Sequence, residues 1–132
     1  HGTFSVEGEH YTLPKHVEIA IFRIVQEALN NVVHHAKTNK VRVRMHYTSQ
    51  ALTVLIADDG VGFDPSHLTE ESEESDDALD METQRRLRGR HFGVIGMEER
   101  AKIIGAAIQI LSEPGKGTKV HLRVQNRIVE EN

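Results

Sequence analysis

The hydrophobic positions between Leu13 and Ala36 recur at intervals of three and four residues, which places them on one face of a helix. The recurring positions are Ile21, Val25, Ala28, Leu29, Val32 and Ala36. Thr38 and Asn39 follow, and both residue types favour turns over the interior of a helix. We therefore predict one long amphipathic helix that begins near Leu13 and ends near Ala36.

The next hydrophobic runs predict strands. Apolar and polar residues alternate from Val41 to Tyr47, as in a half-buried strand, whereas residues 51–57 are more continuously apolar, as in a central strand. Two further strands are predicted at residues 107–111 and 118–124, because a loop rich in glycine joins them as in a hairpin. Thr3 to Val6 is a candidate for a fifth, short strand.

A second helix is predicted from Gly93 to Ile104, where Met97, Ala101 and Ile104 lie on one side. Gly105 is placed to cap this helix in the left-handed conformation. Residues 64–90 before it are polar and charged without a clear period, which is typical of a functional lid or a disordered insert. The pattern predicts an α+β fold: a two-layer sandwich in which helices cover one face of a mixed, mostly antiparallel sheet.

Composition excludes several classes of function. The chain has 132 residues, enough for a single domain, and no cysteine, so disulfides, thiolate metal sites and thiol nucleophiles are excluded. No apolar run approaches the ~20 residues of a membrane span. The formal net charge is −4, but the segment Glu70–Glu82 contains eight acidic residues and no basic one, so the remainder is mildly basic. That remainder lacks interleaved aromatic residues, and we therefore expect no nucleic-acid partner.

One candidate site lies on the long helix. Glu27, Asn31 and His35 are each four residues apart and form a polar stripe at the edge of the apolar face. Glutamate can orient a nucleophile or accept its proton, and an asparagine oxygen suits a hard cation such as Mg²⁺. Because the same spacing is common on solvated helix flanks, the stripe alone leaves both interpretations open.

A second candidate is the stretch DDGVGF, residues 58–63, which directly follows the central strand. Asp58 can accept a hydrogen bond from an amino group such as that of adenine. Gly60 and Gly62 can adopt positive φ and let the backbone approach a flat ligand. A hairpin turn is the alternative, since Asp-Gly favours one, but the chain continues into the charged segment and not into an alternating strand.

A third candidate is the predicted start of the second helix, where Gly93 and Gly96 stand. Free backbone N–H groups and the positive end of a helix dipole attract phosphate at such a position. A helix start without a ligand explains the two glycines nearly as well.

Four motifs occur in a specific order along the chain. They read IFRIVQEALNNVVHHAK, VLIADDGVGFDP, HFGVIGMEERAKIIGA and GKGTKVHLRV. In this order they closely resemble the catalytic ATP-binding domain of bacterial two-component sensor histidine kinases, and most of all the branch that includes nitrate and nitrite sensors. The resemblance covers Leu13 to Val124 except the 64–90 segment. It implies the Bergerat ATP-binding fold, which gyrase B shares, with residues 1–132 as one ATP-binding catalytic domain.

The resemblance also implies a role for each motif residue. Glu27 would be the catalytic acidic residue, Asn31 the Mg²⁺ ligand, and Asp58 the acceptor for the adenine amino group. The other residues implied to contact ATP or to shape its site are His34, His35, Gly60, Gly62, Gly93, Val94, Gly96 and Thr118. Residues 64–92 would form the ATP lid. The sequence departs from the family at His91, where a glycine is usual, which puts a phosphate contact there in doubt.

The function implied by the resemblance is transfer of the γ-phosphoryl group of Mg-ATP to a histidine on a separate dimerisation domain of the same kinase. A response regulator would then receive the phosphoryl group. We expect a monomeric, cytoplasmic fragment of a longer kinase, with a purine-sized cavity between Asp58 and the long helix. The alternatives are an anti-sigma-factor serine kinase with the same fold, a nucleotide-binding regulatory module without catalysis, and a structural domain without a ligand.

Overall fold

The computed structural model describes residues 2–38, 40–64 and 81–126, without the side chains of residues 82–88 and 90. Within this part of the chain, five strands and two α-helices follow one another. In chain order they are β1 (Gly2–Glu7), α1 (Lys15–Asn31), β2 (Val41–Tyr47), β3 (Ala51–Asp58), α2 (Met81–Ile103), β4 (Ala107–Ser112) and β5 (Thr118–Gln125).

The five strands form one sheet in the order β1-β2-β3-β5-β4. β1 runs parallel to β2, and every other pair of neighbours is antiparallel. The strand predicted to be central is central: β3 lies in the middle of the sheet, and its Val54 is completely buried. These findings confirm the predicted α+β class with a mixed, mostly antiparallel sheet.

Both helices pack on the same face of the sheet. That face is built from alternate residues of β2, β3 and β5, namely Val43, Leu52, Val54, Ile56, Val120, Leu122 and Val124. α1 contributes Ile24 and Ala28 to the same core, and α2 contributes Met97 and Ala101. The alternate residues that point the other way lie outside this core, because side chains of a strand alternate between the two faces.

The long predicted helix is confirmed, with a change in its last turn. α1 ends at Asn31, and the segment Val32–Ala36 continues it with π-helical hydrogen bonding until Lys37 adopts a left-handed φ of 55°. Such π-helical turns often mark functional sites. No helix of the described residues is long and apolar enough to cross a membrane.

The second helix begins earlier than predicted. Its C-terminal end and the left-handed cap at Gly105, with φ of 69°, are confirmed, but α2 starts at Met81 and not at Gly93. The prediction relied on hydrophobic periodicity, which residues 81–92 lack, although Met, Glu, Gln, Leu and Arg there have high intrinsic helix propensity. The predicted lid therefore includes the first turns of α2, and its residues 65–80 lie outside the described part of the chain.

Candidate functional site

A cavity lies between α1, the end of β3 and α2. Five of the residues predicted to contact ATP line it: Asn31, Asp58, Gly62, Val94 and Thr118. Its other walls are mostly apolar and include Ile56, Met97, Ile110 and Val120. A few polar groups that converge on an apolar cavity are typical of a site for a small organic ligand.

The cavity is narrower than expected from the sequence. Its volume is ≈ 20 Å³, which is room for about one water molecule and too little for a purine. Phe63, which is 9% exposed, and the completely buried Met97 are among the side chains that wall it. Between Asp58 and α1, the described residues thus leave no cavity of purine size in this conformation, because their own side chains wall the space closely.

Asp58 is the last residue of β3 and is half-buried. Its Oδ1 accepts a hydrogen bond of 2.8 Å from the backbone N–H of Gly60, which forms a tight turn at the end of the strand. The second carboxylate oxygen has no hydrogen bond to any described residue. Asp58 therefore supports the turn with one oxygen and keeps the other as an acceptor beside the cavity.

Thr118 of β5 stands directly opposite Asp58 and takes part in a hydroxyl network. The Ser112 hydroxyl donates to the carbonyl of Gly117 at 3.1 Å, accepts the Phe63 N–H at 2.9 Å, and lies 2.8 Å from the Thr118 hydroxyl. Since the single hydrogen of Ser112 is already used, Thr118 is the donor in that pair. The lone pairs of Thr118 remain available to a ligand or a water molecule.

Ser112 has a positioning role that sequence reasoning missed. It holds the backbone of Phe63 and the side chain of Thr118 in place through the bonds just described. The predicted hairpin could have revealed the role of Ser112. A strand ending at Ser112 and another starting at Thr118 place these two residues opposite each other, as the register shows.

The two glycines after Asp58 are required for different reasons. Gly62 has a φ of 64°, as predicted, and a Cβ there would collide with the carbonyl oxygen of Glu113. Gly60 does not adopt a positive φ, so the prediction was wrong for it. Instead its backbone packs so closely on Ala36 that a Cβ would collide with the carbonyl oxygen and the Cβ of that residue.

Glu27 and Asn31 lie side by side, one helical turn apart, where α2 crosses α1. The crossing residue is the buried Gly93, whose added Cβ would collide with the Glu27 carboxylate and lie 3.4 Å from Asn31 Oδ1. Both polar side chains thus face the backbone of α2. Glu27 adjoins the cavity without lining it, whereas Asn31 lines it.

The predicted phosphate site at a helix start is not present in this conformation. Gly93 and Gly96 lie inside α2, where each backbone N–H is bonded to the carbonyl four residues earlier. A Cβ at Gly96 would lie 3.1 Å from Nη1 of Arg100. The two histidines of the motif do not line the cavity: His34 is exposed and His35 half-buried.

The described side chains near the cavity offer few ligands for a metal ion. They include no group of three or more His, Cys, Asp or Glu residues that could hold a metal ion. Mg²⁺ bound to a nucleotide needs only one or two protein oxygens in addition to phosphates and water. The Asn31 oxygen beside the cavity fits that requirement.

Comparison with known proteins identifies the family of the chain. The family model described as "Histidine kinase-, DNA gyrase B-, and HSP90-like ATPase" matches residues 16–128. The signal transduction histidine-protein kinase/phosphatase DegS of Brevibacillus brevis is 36% identical over 118 residues, which are 89% of this chain and 25% of that protein. The sensor histidine kinase LiaS of Bacillus subtilis is 33% identical over 112 residues, or 85% of this chain and 26% of LiaS.

Solved structures share the fold. The histidine kinase domain of the Erythrobacter litoralis EL346 blue-light activated histidine kinase has a TM-score of 0.63 at 20% identity, and the match covers 93% of this chain and 54% of that one. Full-length ShkA in complex with AMPPNP has a TM-score of 0.67 at 15% identity over 93% of this chain and 25% of ShkA.

The predicted family is thereby confirmed, while the nitrate- and nitrite-sensor branch stays a prediction. The chain spans about a quarter of the length of DegS and LiaS. The family model covers most of this chain, residues 16–128, and the fold and the motifs agree with it. The chain belongs to the histidine kinase-, DNA gyrase B- and HSP90-like ATPase family, and within it resembles the ATP-binding domains of sensor histidine kinases.

Proposed function

We propose that this chain binds Mg-ATP beside Asp58 and donates the γ-phosphoryl group to a histidine on a separate dimerisation domain. The observation that carries the proposal is the convergence of Asn31, Asp58 and Thr118 on one apolar cavity. These residues come from three separate elements, α1, β3 and β5. Named histidine kinases are the relatives at 33–36% identity, which supports phosphoryl transfer as the reaction.

The adenine end of the site is built on β3 and β5. The free oxygen of Asp58 accepts a hydrogen bond from the adenine amino group, and Thr118 offers its lone pairs from the facing position. Ile56 and Met97 supply apolar walls for the base. Gly60 and Gly62 keep the loop close to this pocket, because no side chain fits at either position.

The phosphate end is built on α1. Asn31 offers a neutral oxygen to Mg²⁺, which neutralises phosphate charge when it is bound. Glu27 lies one turn away and orients the attacking imidazole or accepts its proton. His34, His35, Gly93, Val94 and Gly96 complete the proposed phosphate surroundings, and residues 64–92 the proposed lid.

Nucleotide binding requires α2 to move away from α1, since the backbone at Gly93 lies against Glu27 and Asn31. The glycine content of α2 lowers the free-energy cost of such a movement. A stretch of eight residues in α2 contains three glycines, Gly89, Gly93 and Gly96. Each glycine in a helix interior destabilises the helix by roughly 0.5–1 kcal/mol relative to alanine. The N-terminal turns of α2 are therefore the weakest part of the described helices, and their unwinding would also free backbone N–H groups for phosphate.

The proposed partners follow from the reaction. The phosphoryl acceptor is a histidine of the kinase's own dimerisation domain, and a response regulator receives the phosphoryl group from it. The isolated chain acts as a cytoplasmic monomer that binds ATP without efficient autophosphorylation.

The test is a titration with a fluorescent ATP analogue, with and without Mg²⁺, followed by phosphoryl transfer to the dimerisation domain of the parent kinase. Wild type should bind the analogue and transfer label. Asn31→Ala should lose the Mg²⁺ dependence of binding but keep metal-free binding, whereas Glu27→Gln should bind and fail to transfer. Absence of analogue binding by wild type would contradict the proposal, as would normal transfer by Glu27→Gln.

One observation favours a second candidate, a nucleotide-binding regulatory module without catalysis. His91 occupies a position where the family usually has glycine, so a phosphate contact of the backbone is altered there. The same experiment separates the two functions. A module of this kind would bind the analogue but transfer no label, even when the dimerisation domain is in excess.

A further inference from the structure

The sheet face opposite the helices carries a concentration of basic side chains. They stand on β2 and β5 and are all exposed: Arg42, Arg44 and His46 on β2, and Lys119, His121 and Arg123 on β5. We name these six residues the basic face. The face is separate from the cavity, since it lies on the side of the sheet that neither α1 nor α2 covers.

The strand register arranges the basic face as two parallel rows. Arg44 is paired with Leu55 of β3, and Leu55 is paired with His121, so one residue of the central strand separates the rows at each level. Neighbouring strands are about 4.8 Å apart, which sets the two rows roughly 10 Å from each other. The residues of β3 between them are small or uncharged: Ala57, Leu55 and Thr53.

Within the described part of the chain, the positive charge of the basic face is not balanced by ion pairs. Among the described residues, no carboxylate lies within 4.0 Å of any of its arginines or its lysine. Two described acids stand at its edges: Glu7, which pairs with His46 at the outer strand β1, and Asp59, which lines a cavity together with Arg42. Like charges that stand opposite or beside one another on a sheet destabilise it, so an uncompensated cluster indicates a partner that supplies negative charge.

The geometry points to an acidic polypeptide segment as that partner, and we propose that it docks along β3 between the two rows. In an extended chain, side chains alternate left and right and repeat on each side every ~6.6 Å, the same repeat that separates Arg42 from Arg44. One extended acidic segment can therefore contact both rows. Three of the four permanent cations are arginines, whose guanidinium groups bind carboxylates in bidentate geometry.

Two other anionic partners fit less well. Nucleic acid bound as a single strand stacks its bases on aromatic side chains, and the basic face contains no Phe, Tyr or Trp. An anionic membrane favours a broad positive surface, but the flanking strands contribute no basic residue to this side: β1 contributes Thr3, Ser5 and the acidic Glu7, and β4 contributes Ala107, Gln109 and Leu111.

The test uses the 132-residue chain and a fluorescein-labelled deca-glutamate peptide, with binding followed by fluorescence anisotropy at about 0.05 M salt. The variant Arg44→Gln/Arg123→Gln removes one arginine from each row. The matched control Arg23→Gln/Lys102→Gln removes two exposed charges from the helices, so that the net charge of both variants is identical. Equal thermal melting curves establish that all three proteins are folded.

We expect the Kd of the peptide for wild type and for the control to agree within about twofold. The Kd for the basic-face variant should be about tenfold higher, because the variant loses two exposed ion pairs of roughly 0.7 kcal/mol each. Three results would overturn the proposal. They are no binding by wild type, equal affinity of the two variants, and tighter binding of phosphatidylserine vesicles or a single-stranded oligonucleotide through the same arginines.

Discussion

The substitution Asp58→Asn separates recognition of the base from stability of the fold. Asp58 Oδ1 accepts the N–H of Gly60 at 2.8 Å, and an asparagine carbonyl can accept the same bond. The amide nitrogen then replaces the oxygen that is free for a ligand. An adenine amino group would meet a donor in place of an acceptor, whereas the carbonyl oxygen of hypoxanthine at the same ring position would meet the donor it needs.

The expected magnitude follows from the lost bond. A hydrogen bond to a charged acceptor contributes about 1.5–3 kcal/mol, which corresponds to about a 10- to 150-fold change in Kd. Because Asp58 is half-buried, we expect the lower half of that range. Wild type should prefer ATP to ITP, and Asp58→Asn should lose or reverse that preference. The opening of α2 costs the same for both nucleotides, so the ratio of their affinities does not depend on it.

The assay is competition of ATP and of ITP against a bound fluorescent ATP analogue. Asp59→Asn is the matched control, because it removes the same charge one residue further along at an exposed position. An unchanged ATP preference in Asp58→Asn, or an equal loss in Asp59→Asn, would refute the assignment of Asp58 to the base.

Three further predictions concern single side chains. Gly93→Ala should leave the melting temperature nearly unchanged in calorimetry, because helix propensity gains about 0.5–1 kcal/mol while Glu27 is pushed from its rotamer at a similar cost. Phosphoryl transfer should nevertheless fall at least about tenfold, because in the nucleotide-bound state the added Cβ would stand where the backbone at position 93 approaches phosphate. Retention of full transfer would contradict the placement of Gly93 beside the phosphates. Gly60→Ala should cost about 1–3 kcal/mol in urea denaturation, because its Cβ meets backbone at the end of the π-helical segment; an unchanged midpoint would argue against the close packing. Burial raises the pKa of Tyr11 and of Tyr47 above the ordinary 10.0, so both phenols stay protonated to a higher pH in the folded chain than in the unfolded chain. The free energy of unfolding should therefore decline as pH rises above 10. These are the chain's two tyrosines, so absorbance titration of native and urea-unfolded protein measures the shift, and coincident curves would contradict it.

Hydrophobic periodicity predicted the strands well because it reflects a local property. The alternation from Val41 to Tyr47 has the period of a strand, and β2 has the predicted bounds. The helical period located α1 and most of its buried face, since the predicted Ile21, Ala28, Val32 and Ala36 are all buried. Ile24 is completely buried although it was not among the predicted face residues, whereas Leu29 is only partly buried. The exact direction of a helix face depends on what packs against it.

The start of α2 was missed because apolar period and intrinsic propensity disagree there. Residues 81–92 have side chains that favour helix but no repeated apolar face. A helix does not need such a face where it is attached to a well-packed continuation, and α2 has one around the buried Met97 and Ala101. Gly93, which was predicted to begin the helix, therefore lies in its interior.

The sequence by itself determined the family, the strand positions and the identity of the polar residues near the cavity. Motif order and local periodicity contain that information, because each depends on residues close together in the chain. The tertiary structure alone decided the volume of the cavity, the contact of Gly93 with Glu27, and the gathering of Arg44 and Arg123 on one face. These depend on how α2 packs against α1 and on the placement of β5 beside β3, which are contacts between segments far apart in sequence.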